Sequence, residues 1–330
     1  MSANRPDPAP FPYEAVRADW TRCGRVVPLR DGDVVALSPP CADPEDMKPM
    51  DPQFERPIFI LSPPRSGSTL LFETLARAPD LYTIGAESHG LIEGIADLHP
   101  AARGFESNRL TAGAATAQVV AELRRRFLLQ LRDRDSRLPV RMPLRMLEKT
   151  PKNALRLPFL RRVFPDAHFV YLHRDPRQTL SSMIEAWQSG RFRTYPRLPG
   201  WTGMPWSLLL VPGWCDLIGR PVHEIVAAQW RITNEILLED FEALPVDRRH
   251  VVAYGALLRD PQHETGRLCR ELDLRWDLTL SGALPLSRYT VTPPDAGKWR
   301  RHRDLIEPLM PSLQPIIARM QRAMGAVGAA

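Results

Sequence analysis

The residues best suited to chemistry in this chain are Arg65, Ser66, Gly67, Ser68 and Thr69, which follow the apolar run Ile58-Phe-Ile-Leu and precede Leu70-Leu71 at helical spacing. A strand that breaks into such a turn and resumes as a helix leaves backbone N–H groups unpaired in the first helical turn. The helix dipole adds positive potential there, and Arg65, Ser66, Ser68 and Thr69 add guanidinium and hydroxyl donors. The segment predicts a site for a phosphate-like anion. Hydroxyl-rich turns also cap helices with no ligand, so the identity of the anion must come from other residues.

A second constellation lies in Tyr171-Leu-His-Arg-Asp-Pro-Arg-Gln-Thr-Leu-Ser-Ser-Met183. Arg174 falls at a strand end, and Ser182 falls about one and a half turns into a helix that starts near Pro176. The two groups can close on one phosphate if the strand end bends over the helix. Together with residues 66–69 this gives two anion sites on one sheet edge.

Positioning these residues requires alternating strands and helices. Strand-like runs occur at Ile58–Ser62, Leu81–Gly85, Met146–Lys149, His168–His173 and His250–Tyr254, with helical spacing over Leu70–Ala78, Ala117–Leu131, Pro176–Trp187 and Val222–Glu239. Short apolar strands between helices predict one α/β domain with a central parallel sheet flanked by helices. Ligands of such sheets sit beyond the carboxyl ends of the strands, so Arg65 to Thr69, Glu87, His89, Lys149, Thr150, Arg174 and Tyr254 are expected to converge. Residues 1–55 are rich in Pro and Asp and predict an N-terminal arm, with residues 56–330 as the domain. Residues 188–221 form a Pro/Gly-rich insertion carrying three of the eight tryptophans, Trp201, Trp206 and Trp214. Its two readings, a binding lid or a loop anchored to the core, are both open.

Composition narrows the classes. A chain of 330 residues, 44% hydrophobic and 25% charged, can bury a large core. Its net charge of +6 favours anionic ligands. The arginines are dispersed, and Arg124-Arg125-Arg126 reads as a solvated helix face, so a small polyanion is a better partner than nucleic acid. Four separated cysteines without metal-type spacing predict free thiols of a reducing compartment, and the start of the chain lacks an apolar leader. A cytoplasmic protein with no integral membrane association and no metal requirement is expected, with homo-oligomerisation open.

With both anion sites in place, the chain resembles the sulfotransferases that use 3′-phosphoadenosine 5′-phosphosulfate (PAPS), which implies transfer of its sulfuryl group to an acceptor hydroxyl or amine by in-line attack assisted by a general base. In that family the first loop binds the 5′-phosphosulfate, which maps onto Pro64-Arg65-Ser66-Gly67-Ser68-Thr69, and an Arg…Ser pair binds the 3′-phosphate, which maps onto Arg174 and Ser182. Val251-Val-Ala-Tyr-Gly-Ala-Leu-Leu-Arg-Asp-Pro261 resembles the segment whose tyrosine approaches the adenine, here Tyr254. Asp295-Ala-Gly-Lys-Trp-Arg-Arg-His302 resembles the loop that closes over the 3′-phosphate, implying Lys298, Trp299 and Arg300 as donor contacts. The resemblance spans residues 56–305.

Leu81-Tyr-Thr-Ile-Gly-Ala-Glu-Ser-His89 resembles the bacterial and tyrosylprotein branch, in which a glutamate removes the acceptor proton, more than the cytosolic branch, which uses histidine. This implies Glu87 as base, with His89 the second candidate. Leu147-Glu-Lys-Thr-Pro-Lys-Asn153 resembles the family's Lys-x-Pro segment and implies Lys149, with Arg65, at the reacting sulfuryl group, where negative charge develops as the S–O bond breaks. Many members carry lysine in place of Arg65, and the C-terminal loop here lacks a hydroxyl before Lys298. A kinase-like phosphotransferase is the first competing reading, but G-x-x-x-x-G-K-[ST] is absent. A non-catalytic nucleotide-binding scaffold is the second. The apolar insertion predicts a small or lipid-like hydroxyl acceptor in preference to a polyanionic glycan.

Overall fold

The computed structural model describes residues 53–290 and 295–327. All but the last three residues of the expected N-terminal arm therefore lie outside the described residues. Five parallel strands form the central sheet: β1 (Ile58–Leu61), β2 (Leu81–Tyr82), β3 (Arg145–Lys149), β4 (His168–His173) and β7 (Arg249–Ala253), in the order β2-β3-β1-β4-β7. A short antiparallel hairpin, β5 (Arg193–Tyr195) with β6 (Trp206–Ser207), stands apart from it. The helices are α1 (Ser68–Leu75), α2 (His89–Glu93), α3 (Ala117–Gln130), α4 (Leu157–Val163), α5 (Pro176–Ser189), α6 (Val222–Glu242), α7 (Tyr254–Arg259), α8 (Pro261–Glu271), α9 (Arg303–Ile306) and α10 (Met310–Val327).

The strands are apolar on both faces because helices cover both. Phe59, Leu61, Phe169 and Tyr171 join a core with α4, α5, α6 and α10, while Ile58, Ile60, Val170 and Leu172 join a second core with α1, α7 and α8. Local signals set the helix ends as read from sequence. Asp175 caps α5 by accepting from Gln178 N at 3.0 Å, Pro176 occupies its first turn, and Gly190 at φ 65° ends it. Strand order reverses at β1, with β3 on one side and β4 on the other, and this switch point opens a crevice above the strand ends.

One expectation needs correction, and one open choice is narrowed. The strand expected over Leu81–Gly85 ends at Tyr82, because Thr83 pairs only in an isolated bridge with Arg132 and Gly85 turns the chain at φ 68°. Glu87 therefore sits in a turn before α2. Of the two readings of the insertion, the tryptophans fit the loop anchored to the core. Trp206 and Trp214 are buried, and Trp201 packs edge-on against both at 4.8 and 6.2 Å between ring centroids. Their indole N–H groups donate to the carbonyls of Met204, Leu209 and Phe105. Among the described residues, no helix is long and apolar enough to cross a membrane.

The two cores meet a buried histidine pair at the strand ends opposite the crevice. Arg56 Nε donates to His168 Nε2 at 3.2 Å, so His168 carries its proton on Nδ1 and donates it to His250 Nε2 at 2.9 Å. His250 Nδ1 then faces Glu271 at 3.6 Å. Burial first, then the neighbouring His250 and Arg56, holds His168 down to about 3. Because the folded state disfavours the imidazolium, stability is fully present above the unfolded pKa of about 6.5 and is lost as pH falls toward 3. Denaturant titrations are expected to show about 2 kcal/mol less stability at about pH 5 than at about pH 7.5 from this residue. His168→Gln should flatten that dependence; an unchanged slope would disprove the assignment.

Candidate active site

The loop after β1 is held in a conformation that few residues adopt. Arg65 has φ 68° and Gly67 φ 99°. A Cβ on Gly67 would lie 2.2 Å from Tyr254 Cε2, so glycine is required both by the backbone angle and by the tyrosine ring packed against it. Arg174 braces the same turn: its NH1 donates to Arg65 O at 3.1 Å and its guanidinium lies 4.7 Å over the Tyr254 ring. Ser66 and Ser68 are buried, and Thr69 lies in the first turn of α1. Tyr254 opens α7 and does not end β7, the reverse of the expected boundary.

Two guanidinium groups thus share the crevice. Arg65 Nε reaches Ser182 Oγ at 3.4 Å, its NH2 donates to Tyr289 O at 3.1 Å, and its guanidinium covers the Phe192 ring at 4.6 Å. Arg174 Nε and NH2 both reach Gln178 Oε1 at 3.2 Å. These partners are neutral. Burial, then the Arg174 charge, lowers Arg65 to about 10, and burial lowers Arg174 as well. Both stay cationic at neutral pH, and an anion between them would relieve their repulsion. The sequence reading pairs Ser182 with Arg174, whereas in the structure Ser182 meets Arg65, and Arg174 reaches the same group through Arg65 O.

Glu87 meets Lys149 beside this loop. Lys149 Nζ donates to Glu87 Oε1 at 2.6 Å, and His89 Nδ1 lies 3.6 Å from Glu87 Oε2. The Lys149 side chain is 3% exposed and that of Glu87 22%. Burial pushes the Glu87 carboxyl up, but the nearby His89 and the charge and hydrogen bond of Lys149 outweigh it and hold it at about 2. Glu87 is therefore an ionised acceptor. Register explains the meeting: Ile60 pairs with Lys149, which places the lysine level with the end of β1.

The third group packs on α5. Residues Lys298–His302 form a short 3-10 turn in which Lys298 and Arg301 both pair with Glu185, at 2.8 and 2.9 Å, and His302 Nδ1 lies 2.9 Å from Ser181 Oγ. Trp299 is sandwiched by Arg177 at 5.5 Å and Arg300 at 5.9 Å. The turn sits on the helix that carries Ser182. Its anchor, Glu185, follows Ser182 by three residues, a helical spacing that could have pointed to it from sequence.

Sequence reasoning missed Arg288 and Tyr289. Arg288 donates to Glu73 Oε1 at 2.7 Å and to Gly85 O at 2.8 Å, which lays the Tyr289 ring 5.5 Å from Lys149 Nζ. A cavity of only ≈ 10 Å³ remains among Thr69, Gly85, Glu87, Lys149, Arg288 and Tyr289. Nothing in the local pattern of Ser287-Arg-Tyr-Thr290 signals this approach, because the partners are over two hundred residues away. It also missed a buried cluster under Glu87, in which Ser88, Thr150 and Asn153 surround Glu148.

The family model described as "Sulfotransferase family" matches residues 57–278, and the chain belongs to that family. Protein-tyrosine sulfotransferase A of Caenorhabditis elegans is 24% identical over 226 residues, 67% of this chain and 50% of that protein. The chain spans about half the length of the curated relatives it matches. Among solved structures, a sulfotransferase from Alicyclobacillus acidocaldarius is 17% identical with a TM-score of 0.44, covering 81% of this chain and 95% of that one. The sulfotransferase domain of the Synechococcus PCC 7002 olefin synthase is 23% identical with a TM-score of 0.41, covering 70% and 78%.

Proposed function

We propose that this member of the sulfotransferase family moves a sulfuryl group from PAPS to an acceptor hydroxyl, with Glu87 as general base. The observation that carries this reading is the contact of Glu87 with Lys149 beside the paired guanidiniums of Arg65 and Arg174. One cleft then offers a proton acceptor, a cation for developing charge and a seat for two phosphates. The acceptor oxygen attacks sulfur, the S–O bond to the 5′-phosphate breaks, and the hydroxyl proton passes to Glu87. Lys149 and Arg65 stabilise the charge growing on the leaving oxygen. Ser66, Gly67, Ser68 and Thr69 seat the phosphosulfate; Arg174, Ser182, Lys298 and Arg300 serve the 3′-phosphate; Tyr254 and Trp299 support the nucleoside side.

An ionised carboxylate held at about 2 is a weak base, and the same ion pair supplies the remedy. Lys149 Nζ has three N–H donors and can reach a sulfuryl oxygen while it holds Glu87, and the negative charge of a bound donor, shared with this lysine, raises the proton affinity of Glu87. Turnover of PAPS to the bisphosphate with a sulfated product tests the whole reading. Donor binding without transfer to any of a panel of phenols, alcohols and tyrosine peptides would leave a scaffold.

The acceptor side is lined by Tyr289 and the turn at Gly85, which favours a hydroxyl on an aromatic or apolar body, small or lipid-like. The C. elegans relative, a protein-tyrosine sulfotransferase by name, makes tyrosine phenols the first acceptors to try. Tyr289→Ala is expected to raise the acceptor KM about five- to tenfold while kcat and donor affinity change less than about threefold. A loss confined to donor affinity would move Tyr289 to the donor side. Cys215 and Cys269 are free thiols, which supports a cytoplasmic setting.

A further inference from the structure

Glu148 is 1% exposed, carries a titratable group and has no part in the chemistry just described. Strand alternation turns Lys149 toward the anion loop and Glu148 to the opposite face of β3. There Ser88 Oγ donates to Glu148 Oε1 at 2.7 Å, Thr150 Oγ1 donates to the same oxygen at 2.5 Å, and Asn153 Nδ2 donates to Oε2 at 2.8 Å. Ser88 N in turn donates to Thr150 Oγ1 at 2.7 Å. Ser88, Thr150 and Asn153 are all fully buried.

Burial pushes the Glu148 carboxyl up, yet each neighbour presents a donor to it, the arrangement an ionised carboxylate needs. A buried carboxylate served only by neutral donors is costly to keep, so its place calls for a reason. The chain supplies one. Ser88 lies between Glu87 and His89, and Thr150 directly follows Lys149, so Glu148 ties together the two backbone segments that carry the base and the cation.

We propose that Glu148 is a positioning residue that fixes Glu87 against Lys149 through Ser88 and Thr150. The proposal rests on the reading of Glu87 as base for its kinetic consequence, but not for its structural one.

The test is an acceptor-for-donor exchange. In Glu148→Gln an amide N–H₂ replaces one carboxylate oxygen, and either rotamer leaves one neighbouring donor without an acceptor. Adding Asn153→Asp restores the pattern, since the introduced glutamine can then accept from both hydroxyls and donate to the new carboxylate. Arg156 NH1, which already lies 3.5 Å from Asn153 Oδ1, would face that charge. Glu148→Gln is expected to lower kcat at least about tenfold with donor affinity within about twofold, and to speed amide exchange across residues 86–90. The double variant is expected to recover most of both. Unchanged kcat and exchange in the single variant, or no recovery in the double, would overturn the proposal. If Glu148→Gln does not fold, Thr150→Val and Thr150→Ser replace it: loss in the first and retention in the second is expected, and equal behaviour refutes. Should the unmodified protein bind donor without transferring sulfuryl, the proposed function falls, and the exchange measurement alone decides on Glu148.

Discussion

Glu87→Gln is expected to lower turnover by about 10²–10⁴ while affinity for adenosine 3′,5′-bisphosphate changes less than about threefold. Glutamine keeps the size of the side chain and can still accept from Lys149 Nζ, which lies 2.6 Å from Oε1 in the native protein. What it cannot do is take up the acceptor proton. His89 is the control. Its Nδ1 lies 3.6 Å from Glu87 Oε2, a position from which it orients the carboxylate, so His89→Ala should cost far less than Glu87→Gln. If His89→Ala abolishes turnover and Glu87→Gln does not, the histidine is the base. The pH dependence adds a second check. In the free protein Glu87 titrates at about 2, whereas with the negative charge of the donor bound beside Lys149 it should titrate higher. The acid limb of kcat/KM for the acceptor at saturating donor should therefore lie above the range where the free carboxyl protonates, with activity lost as pH falls.

Much of this site was legible because its signals are local. Helical spacing from Pro176 to Trp187 marks α5 to within two residues of its observed end, and the apolar runs mark β1 and β4 within a residue of their observed limits. Residues at strand ends then fall into one crevice by topology alone, which is why Arg65, Lys149 and Arg174 could be placed together before any geometry. Less legible were contacts that depend on one long-range approach. Tyr289 reaches Lys149 because Arg288 grips Glu73 and Gly85, and no periodicity encodes that. Glu148 reads as one polar residue in a strand, and its three partners come from outside that strand. The tryptophans of the insertion show an ambiguity that composition cannot resolve: an aromatic, loop-rich segment fits both a binding lid and a core-anchored loop, and Trp206 and Trp214 are buried in the core.

Arg174→Ala carries the second large effect, because this side chain serves the anion site twice. In the proposed function it is the cation for the 3′-phosphate, and in the structure it donates to the carbonyl of Arg65, which sits in the left-handed region, at 3.1 Å. Losing a charge-assisted contact costs about 1.5–3 kcal/mol, and releasing a strained loop residue adds to it. Affinity for adenosine 3′,5′-bisphosphate should fall about a hundredfold or more by calorimetry. Comparison with adenosine 5′-monophosphate separates the two contributions. If Arg174 acted only on the 3′-phosphate, the monophosphate would bind the variant as well as the native protein. Because Arg174 also braces the loop proposed to seat the 5′ end, a smaller but measurable loss, about three- to tenfold, is expected for the monophosphate too. Arg125→Ala, on α3 and paired with Glu122 at 2.8 Å, should leave both affinities nearly unchanged. Equal losses in the Arg174 and Arg125 variants would mean that general positive charge, and not a built phosphate seat, attracts the nucleotide.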